Sequence, residues 1–358
     1  MAADTKEVKE SFLQRKNIQF TAKRYAFDAL SAMALGLFSS LLIGLIIKTI
    51  GEQVGIHIGE SAFTAFLITA GTAAMQMVGP AIGVAVAHGL QAPPLVLFAS
   101  IATGYMGNMA WTEGGAAGGP AGAFVAAVIG AELGKIVSKE TKVDIIVTPA
   151  VTILAGGLVA KFVGPLVGAL MKGLGAIIMK ATELQPFWMG IIVAVVVGLV
   201  LTAPISSAAL CIMLDLSGIA AGAATVGCCA QMIGFAVISF RANGIGGLFA
   251  QGIGTSMLQV PNIIKHPIIL IPPTLAAAIL GPVSTLLFKM TNIPAGAGMG
   301  TSGLVGQIGT LTSMGFSGSV FGEIFLLHIV LPAVLSLAIY YPLAKFGKVK
   351  QEWLKLNL

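Results

Sequence analysis

Residues 108–124 read NMAWTEGGAAGGPAGAF. This glycine-rich stretch contains one carboxylate and joins two apolar runs, 92–108 and 118–137. Similar apolar runs recur along the chain, which is 56% hydrophobic and 9% charged and has a mean hydropathy of +0.96. A helix needs about 20 apolar residues to cross the hydrocarbon core of a membrane. The chain is therefore predicted to be an integral membrane protein whose helices are interrupted by glycine-rich stretches.

The apolar runs define about ten candidate membrane spans. They cover residues 27–49, 61–79, 92–108, 118–137, 144–166, 186–204, 217–239, 246–260, 268–289 and 319–344. Continuous runs favour helices over a β-barrel, and 46 glycines are typical of closely packed membrane helices. The predicted fold is all-α: a polytopic transmembrane helix bundle with internal repeats and re-entrant, glycine-rich broken helices.

Positive charge is concentrated beside the first and last candidate spans. The formal net charge is +6, and the positive-inside rule then places both termini in the cytoplasm, with the chain crossing the membrane several times. The predicted organisation is a cytoplasmic N-terminal segment 1–26, a first membrane half 27–184, a second half 185–345 and a cytoplasmic tail 346–358. Charge in these positions does not indicate nucleic-acid binding.

Two parts of the chain share an order of features. GPAIGVAVAHGL (79–90) precedes WTEGG (111–115), and APISSAALCIML (203–214) precedes FRANG (240–244). Transporters often carry such duplications, with the solute site at the repeat interface. A chance match between Gly/Ala-rich helices is the alternative.

The orientation of the repeats depends on residues 165–184. Lys172 and Lys180 stand there among small and apolar residues, a pattern that favours an interfacial helix ending the first half. The two repeats would then be parallel. If the segment crosses the membrane, they would be inverted.

Residues 293–318, IPAGAGMGTSGLVGQIGTLTSMGFSG, contain no charged side chain and many glycines. Irregular backbone at membrane depth is tolerated only where it is buried in protein or lines a cavity. The segment is predicted to be a buried re-entrant hairpin. A flexible external loop is the alternative, although such a loop usually carries more charge.

Glu113 and Arg241 head the candidate site residues, because ionisable side chains within spans cost about 2.5–3.5 kcal/mol and are functional candidates by default. They occupy nearly equivalent places in the two repeats, and each precedes a glycine-rich break and then a helix. The free N–H groups of such a helix start suit anions or sugar hydroxyls. The alternatives are a structural Glu–Arg pair between the halves, or both residues at the outer membrane surface.

Further candidate solute ligands are polar residues at the breaks and in the hairpin: Asn108, Thr112, Asn243, Gln251, Thr301, Ser302 and Gln307. His88 is either a structural histidine or a contact for a proton or ligand.

Three other features are assigned structural roles. Glu132 is expected to form a surface pair with Lys135 or Lys139. Glu323 and His328, five positions apart, would face different directions on an α-helix. The three cysteines are interpreted as buried apolar residues, and no metal-ligand spacing, cofactor motif or catalytic motif is present.

The chain resembles the IIC-like membrane proteins of the bacterial phosphotransferase system, in the branch of sugar IIC components and toxin regulators. The resemblance rests on RKNIQFTAKRYAFDALSAMALGLFSSLLIGLI (15–46), GGPAGAF (118–124) and GMGTSGLVGQIGT (298–310). It implies a polytopic permease, a homodimer, for a small polar solute such as a carbohydrate.

Two departures from that family stand out. No soluble IIA or IIB domain is recognisable, so phosphotransferase activity is expected only with a separate IIB chain. Many sugar IIC proteins use a glutamate in a Gly-Ile-Thr-Glu type motif; here Thr112-Glu113 follows Ala110-Trp111 instead. The resemblance thus supports Glu113 as a ligand residue and leaves coupled phosphorylation open.

The sequence predicts a membrane permease for a small polar, sugar-like solute, with its site between the two repeats. A membrane sensor that binds a ligand without transporting it, or a IIC subunit coupled to phosphorylation by a separate IIB chain, are the alternatives. Contacts with membrane lipid are expected, but no cofactor, metal or nucleic acid.

Overall fold

The computed structural model describes residues 12–111, 117–203 and 207–356. Regular structure in these residues is helical, apart from one antiparallel bridge between Gly218 and Asn292. The α-helices in chain order are Phe12–Arg15 (α1), Leu30–Leu37 (α2), Ile43–Ile58 (α3), Ala62–Gln76 (α4), Val78–Gly89 (α5), Pro94–Asn108 (α6), Gly119–Val137 (α7), Asp144–Phe162 (α8), Gly164–Leu184 (α9), Pro186–Thr202 (α10), Ser207–Met213 (α11), Gly218–Ile238 (α12), Phe240–Phe249 (α13), Val260–Lys265 (α14), Ile271–Pro282 (α15), Pro294–Ala297 (α16), Val305–Met314 (α17), Gly318–Ile324 (α18) and Leu331–Lys345 (α19). Wider π-helical turns occur at Lys23–Ala29, Phe38–Leu42, Ala250–Gly254, Val283–Phe288 and Phe325–Val330, and 3-10 turns occur at Ser256–Gln259, Pro267–Leu270, Ser302–Leu304 and Gln351–Leu354.

Seven helices in the described part of the chain are long and apolar enough to cross a membrane, or eight if the bent pair α4–α5 is one span. The seven are Lys23–Ile56, Gly119–Val137, Asp144–Phe162, Gly164–Leu184, Gly218–Ile238, Pro267–Phe288 and Gly318–Lys345. The predicted all-α polytopic bundle is confirmed. The candidate runs 92–108 and 186–204 form the shorter helices α6 and α10, of 15 and 17 residues.

The chain forms two compact units. Unit 1 contains Met1–Gly36 and Met77–Val167, and unit 2 contains Leu37–Gln76 and Gly168–Leu358. The units do not coincide with the predicted halves 27–184 and 185–345, because Leu37–Gln76 packs with the later part of the chain. Segment 165–184 forms the continuous helix α9, which is long enough either to cross a membrane or to lie along its surface.

Unit 1 is built from α5, α6, α7 and α8, which pack against one another. Small residues set the spacing of these helices. A Cβ added to Gly83 in α5 would lie 3.0 Å from Gly104 Cα in α6, so the two backbones touch there. Close approach through small residues is typical of helices that associate in a membrane.

Unit 2 is organised around α12, most of whose residues are buried. Helices α10, α15 and α19 pack on α12. A Cβ on Gly227 of α12 would lie 2.6 Å from Ala194 Cα of α10, so this contact also depends on a glycine. The described cysteines Cys211, Cys228 and Cys229 are free and buried in this unit, as predicted.

The prediction of a span at 246–260 is wrong. The helix is interrupted just before this segment at Gly244, whose φ is 60°. Within the segment, a π-helical turn and the extended backbone of Thr255 divide it into short pieces. It then stays at one end of unit 2, where Gln259 Nε2 donates to Leu354 O at 3.0 Å and Asn262 Nδ2 donates to Lys355 O at 2.9 Å. The end of α12, this segment and the C-terminal tail therefore share the same end of the unit.

Candidate functional site

The uncharged segment 293–318 contains a buried helical hairpin within unit 2. Its arms are α16 and α17, and both pack against α12. α16 and most of the first two turns of α17 are buried. This burial agrees with the predicted hairpin and not with an exposed loop, while the path of the hairpin relative to a membrane stays a prediction.

Asn292 fixes the base of the hairpin to α12. Its Nδ2 lies within hydrogen-bond distance of Thr225 Oγ1 (2.7 Å), Gly306 O (3.0 Å) and Thr310 Oγ1 (3.2 Å). Its backbone forms the antiparallel bridge with Gly218. A buried amide with this many partners holds both arms in one position relative to α12.

The turn between the arms has three residues in the left-handed region: Gly300 (φ 54°), Gly303 (φ 54°) and Leu304 (φ 59°). Gly300 is required by space as well, because a Cβ there would lie 2.7 Å from the carbonyl carbon of Cys228. Leu304 is a branched residue in a conformation that costs about 1–3 kcal/mol. Such backbone strain is often found at ligand sites, and it directs attention to the side chains beside this turn.

Gln307 and His328 form a buried polar pair beside the turn. Gln307 Nε2 lies 3.1 Å from His328 Nδ1 and 3.6 Å from Cys229 Sγ. The residues are 8% and 0% exposed. With the amide donating to Nδ1, a neutral imidazole carries its proton on Nε2. Neither that Nε2 nor Gln307 Oε1 has a hydrogen-bond partner among the described residues, so within this part of the chain the pair presents one unpartnered donor and one unpartnered acceptor.

Thr301 and Ser302 line the same turn. Thr301 is buried, and its hydroxyl donates to a weak acceptor, Met232 Sδ, at 3.5 Å. Ser302 is half-buried. Gln307 stands in the first turn of α17, where backbone N–H groups have no acceptor within the helix. The structure thus brings Thr301, Ser302 and Gln307, three of the predicted residues, to one place.

His328 was missed by the sequence reasoning as a ligand candidate, and the local helix explains why. Residues Phe325–Val330 form a π-helical turn, which contains more residues than an α turn and reduces the angle between positions five apart. Glu323 precedes this turn, and its buried Oε2 also has no hydrogen-bond partner in residues 12–111, 117–203 and 207–356. π-helical turns inside longer helices are frequent at functional sites.

Asn243 and Gln251, also predicted as solute ligands, belong to a different network near the C-terminal tail. Asn243 Nδ2 donates to Leu354 O at 2.8 Å, and Asn243 Oδ1 accepts from the Leu356 amide at 2.8 Å. Gln251 Nε2 donates to Ser239 Oγ, and its Oε1 accepts from Gln259 Nε2, both at 2.8 Å. Because both ends of each amide are satisfied within the protein, these contacts favour a structural role.

The other predicted site residues are dispersed. Arg241 is exposed at the end of unit 2 that holds the C-terminal tail. In unit 1, Asn108 is half-buried at the end of α6 and His88 is exposed in the last turn of α5. Thr112 and Glu113 lie outside the described residues, so the pairing of Glu113 with Arg241 stays a prediction.

A cluster of charged residues is buried in unit 1. It contains Glu132 and Lys135, which were expected to pair at the surface. Lys135, 2% exposed, lies 2.8 Å from Glu132 Oε2 and donates to Asn17 O at 2.9 Å and Leu90 O at 3.2 Å. Arg24 also donates to Leu90 O, at 2.5 Å. The two carbonyls follow the C-terminal ends of α1 and α5, where carbonyls lack helix partners. Buried cations satisfy them, which gives this cluster a structural role.

Glu140 lies beside the cluster, on the turn that follows α7. It forms ion pairs with Lys16 (2.5 Å) and Arg15 (3.0 Å). The hydrogen bond from Lys16 holds the pKa of the Glu140 carboxyl below its usual range. These contacts hold the segment around Arg15 and Lys16 against the turn that follows α7.

Glu140→Gln should lower the thermal unfolding temperature at neutral pH but not in acid. A carboxyl with a lowered pKa in the folded state stabilises the protein above its unfolded pKa, and this stabilisation disappears as the pH falls through the folded pKa. Unfolding scans of both proteins from pH 7 to pH 3 measure the difference. A difference that persists unchanged at pH 3 would show that the charge of Glu140 is not its source.

One protein family matches the chain. The model of the family described as "Phosphotransferase system, EIIC" covers residues 27–356, which includes the hairpin and the Gln307–His328 pair. A search of curated proteins and a search of solved structures found no match. The chain, with its apolar helices and buried hairpin, therefore belongs to the phosphotransferase system EIIC family and is a membrane component of that kind.

Proposed function

We propose that this protein is a membrane permease for a small polar, sugar-like solute, and that Gln307 and His328 hold the solute with help from Thr301 and Ser302. The observation that supports the proposal is the buried Gln307–His328 pair, in which one donor and one acceptor find no partner in the residues that the structure describes. An unmet buried polar group costs about 1–3 kcal/mol. A sugar hydroxyl, which both donates and accepts, would satisfy both atoms.

Family membership supports a sugar as the solute, since IIC components carry sugars across the membrane. The burial of Gln307 and His328 supports a transport cycle rather than an open receptor. A solute can reach these side chains only when the hairpin or the neighbouring π-helical turn moves. Alternating access in transporters moves one structural part around a fixed central site in this way.

Charge supports the orientation of the protein in a bacterial cell membrane. Arg241, Lys265 and the lysines of the C-terminal tail lie at one end of unit 2, and Arg15, Lys16 and Lys139 lie at one end of unit 1. By the positive-inside rule, both ends and both termini face the cytoplasm. Reporter fusions at each terminus test this, and an external signal from either would contradict it.

Two other functions stay open as alternatives. The same polar pair could serve a sensor that binds a sugar without moving it, or a IIC subunit that delivers the sugar to a separate IIB chain for phosphorylation. Uptake of labelled sugar separates the first alternative from a permease, and dependence of uptake on an added IIB protein identifies the second. A homodimer is a further part of the proposal. A pair between Arg241 and Glu113 is an alternative to the site described here, and a double-mutant cycle tests it.

A sugar panel tests the binding site. Mono- and disaccharides are added to the full-length protein in mild detergent, and the unfolding temperature is recorded. A sugar at 100 times its dissociation constant stabilises the folded state by about 2.7 kcal/mol. Gln307→Met should abolish the sugar-induced shift, because Met keeps the length of the side chain without its amide.

Gln251→Met is the matched control, since Gln251 is another buried amide of unit 2 that was also predicted as a ligand. It should unfold at a lower temperature and keep the sugar-induced shift. The opposite result, a shift lost in Gln251→Met and kept in Gln307→Met, would move the site to the network near the C-terminal tail.

A further inference from the structure

The end of unit 2 that holds the C-terminal tail, proposed above to face the cytoplasm, contains a cavity that the Gln307–His328 pair does not line. Its volume is about 960 Å³, and it lies between α13, the end of α19 and the tail that follows α19. Three cations line it: Arg241, Lys345 and Lys350. Its other walls are mostly apolar and include Phe240, Leu337 and Tyr341.

The cations of this cavity have no carboxylate beside them in the described part of the chain. Among the described residues, Arg241, Lys345 and Lys350 form no ion pair with a carboxylate, and no Asp or Glu lines the cavity. Lys345 in the last turn of α19 is favoured by the helix dipole. The dipole of α19 does not account for Arg241 or Lys350. Like charges around one cavity repel each other.

Gln351 holds the tail against the cavity. It donates through Nε2 to Tyr340 Oη at 2.7 Å and to Ile238 O at 3.1 Å. Both Tyr340 and Gln351 line the cavity. The cavity therefore combines three cations with an apolar wall that these contacts keep in place.

We propose that this cavity binds an acidic phospholipid, with the phosphate on Arg241, Lys345 and Lys350 and an acyl chain along Phe240, Leu337 and Tyr341. Basic pockets between membrane helices on the cytoplasmic side bind acidic headgroups. A free phosphate would satisfy the cations but leave the apolar wall unused. A zwitterionic phospholipid such as phosphatidylcholine brings the same phosphate together with a choline cation, which the three cations of the cavity would repel.

The test uses full-length protein from which lipid has been removed in detergent. Short-chain phosphatidylglycerol, short-chain phosphatidylcholine and inorganic phosphate are added at equal concentrations, and unfolding temperature and bound mass are measured. Phosphatidylglycerol should bind and stabilise the protein, and the other two should not. Equal stabilisation by phosphatidylcholine, or by phosphate alone, would overturn the proposal.

A pair of double variants locates the site. Lys345→Gln with Lys350→Gln should weaken phosphatidylglycerol binding about 30-fold, as two charges at about 1 kcal/mol each imply. Lys265→Gln with Lys348→Gln removes two exposed charges that do not line the cavity and should leave binding unchanged. Equal losses in both variants would mean that the lipid responds only to the overall charge of the protein, which also contradicts the proposal.

Discussion

Lys135→Met is expected to lower the free energy of unfolding by about 3–5 kcal/mol, because it leaves the buried carboxylate of Glu132 without its partner. The two groups are 2.8 Å apart, and Lys135 is 2% exposed. The substitution also removes a donor from Asn17 O and Leu90 O. Arg24 still donates to Leu90 O, so this carbonyl keeps one partner.

The double variant Glu132→Gln with Lys135→Met should recover much of that loss, since no unpaired buried charge remains. Denaturation of the four proteins in mild detergent completes the double-mutant cycle. Lys142→Met, which removes an exposed lysine from the same turn region, should change stability by less than about 0.5 kcal/mol. Additive single losses would mean that Glu132 and Lys135 do not interact.

Gly227→Ala should destabilise the protein by about 1–3 kcal/mol through overpacking. The new Cβ would lie 2.6 Å from Ala194 Cα, and backbone at a helix crossing cannot move aside as a flexible side chain can. Helices α10 and α12 would have to separate. Since α12 also supports the hairpin, the loss of packing should weaken sugar-induced stabilisation too.

Gly173→Ala is the matched control for this prediction. It changes the same residue type within α9, but nothing lies within 4 Å of the added Cβ. Replacing a glycine in an open helix position by alanine usually gains about 0.5–1 kcal/mol. Thermal unfolding of the two variants should therefore move in opposite directions. A loss of equal size in both would show that helix propensity, and not the crossing with α10, decides the result.

Composition and run length were sufficient to predict the membrane class and the all-α fold, because a membrane span needs a long apolar run. The hairpin at 293–318 was also predictable, since an uncharged, glycine-rich segment between two spans has few other places to fold. The span at 246–260 was not, because its apolar content resembles a short span. The break at Gly244 and the bonds of Gln259 and Asn262 to the tail hold it at one end.

The candidate site was predicted in part, for reasons that lie in local geometry. Thr301, Ser302 and Gln307 were recognisable as polar residues in an uncharged hairpin. His328 was not, because its relation to the hairpin depends on a π-helical turn that helical periodicity of 3.6 residues does not represent. The burial of Glu132 and Lys135 was not predictable either, since charged side chains near a helix end normally reach solvent. The reason for their burial lies in the tertiary structure, where the carbonyls of Asn17 and Leu90 accept hydrogen bonds from Lys135.

Uptake of labelled sugar tests the central claim most directly. The full-length protein is reconstituted into proteoliposomes, and the sugar that stabilises it most is supplied outside. The wild-type protein and Gln251→Met should accumulate the sugar, while Gln307→Met, reconstituted to the same level, should not. Accumulation by Gln307→Met at the wild-type rate, or no uptake by the wild-type protein with or without an added IIB protein, would contradict a sugar permease with its site at the Gln307–His328 pair.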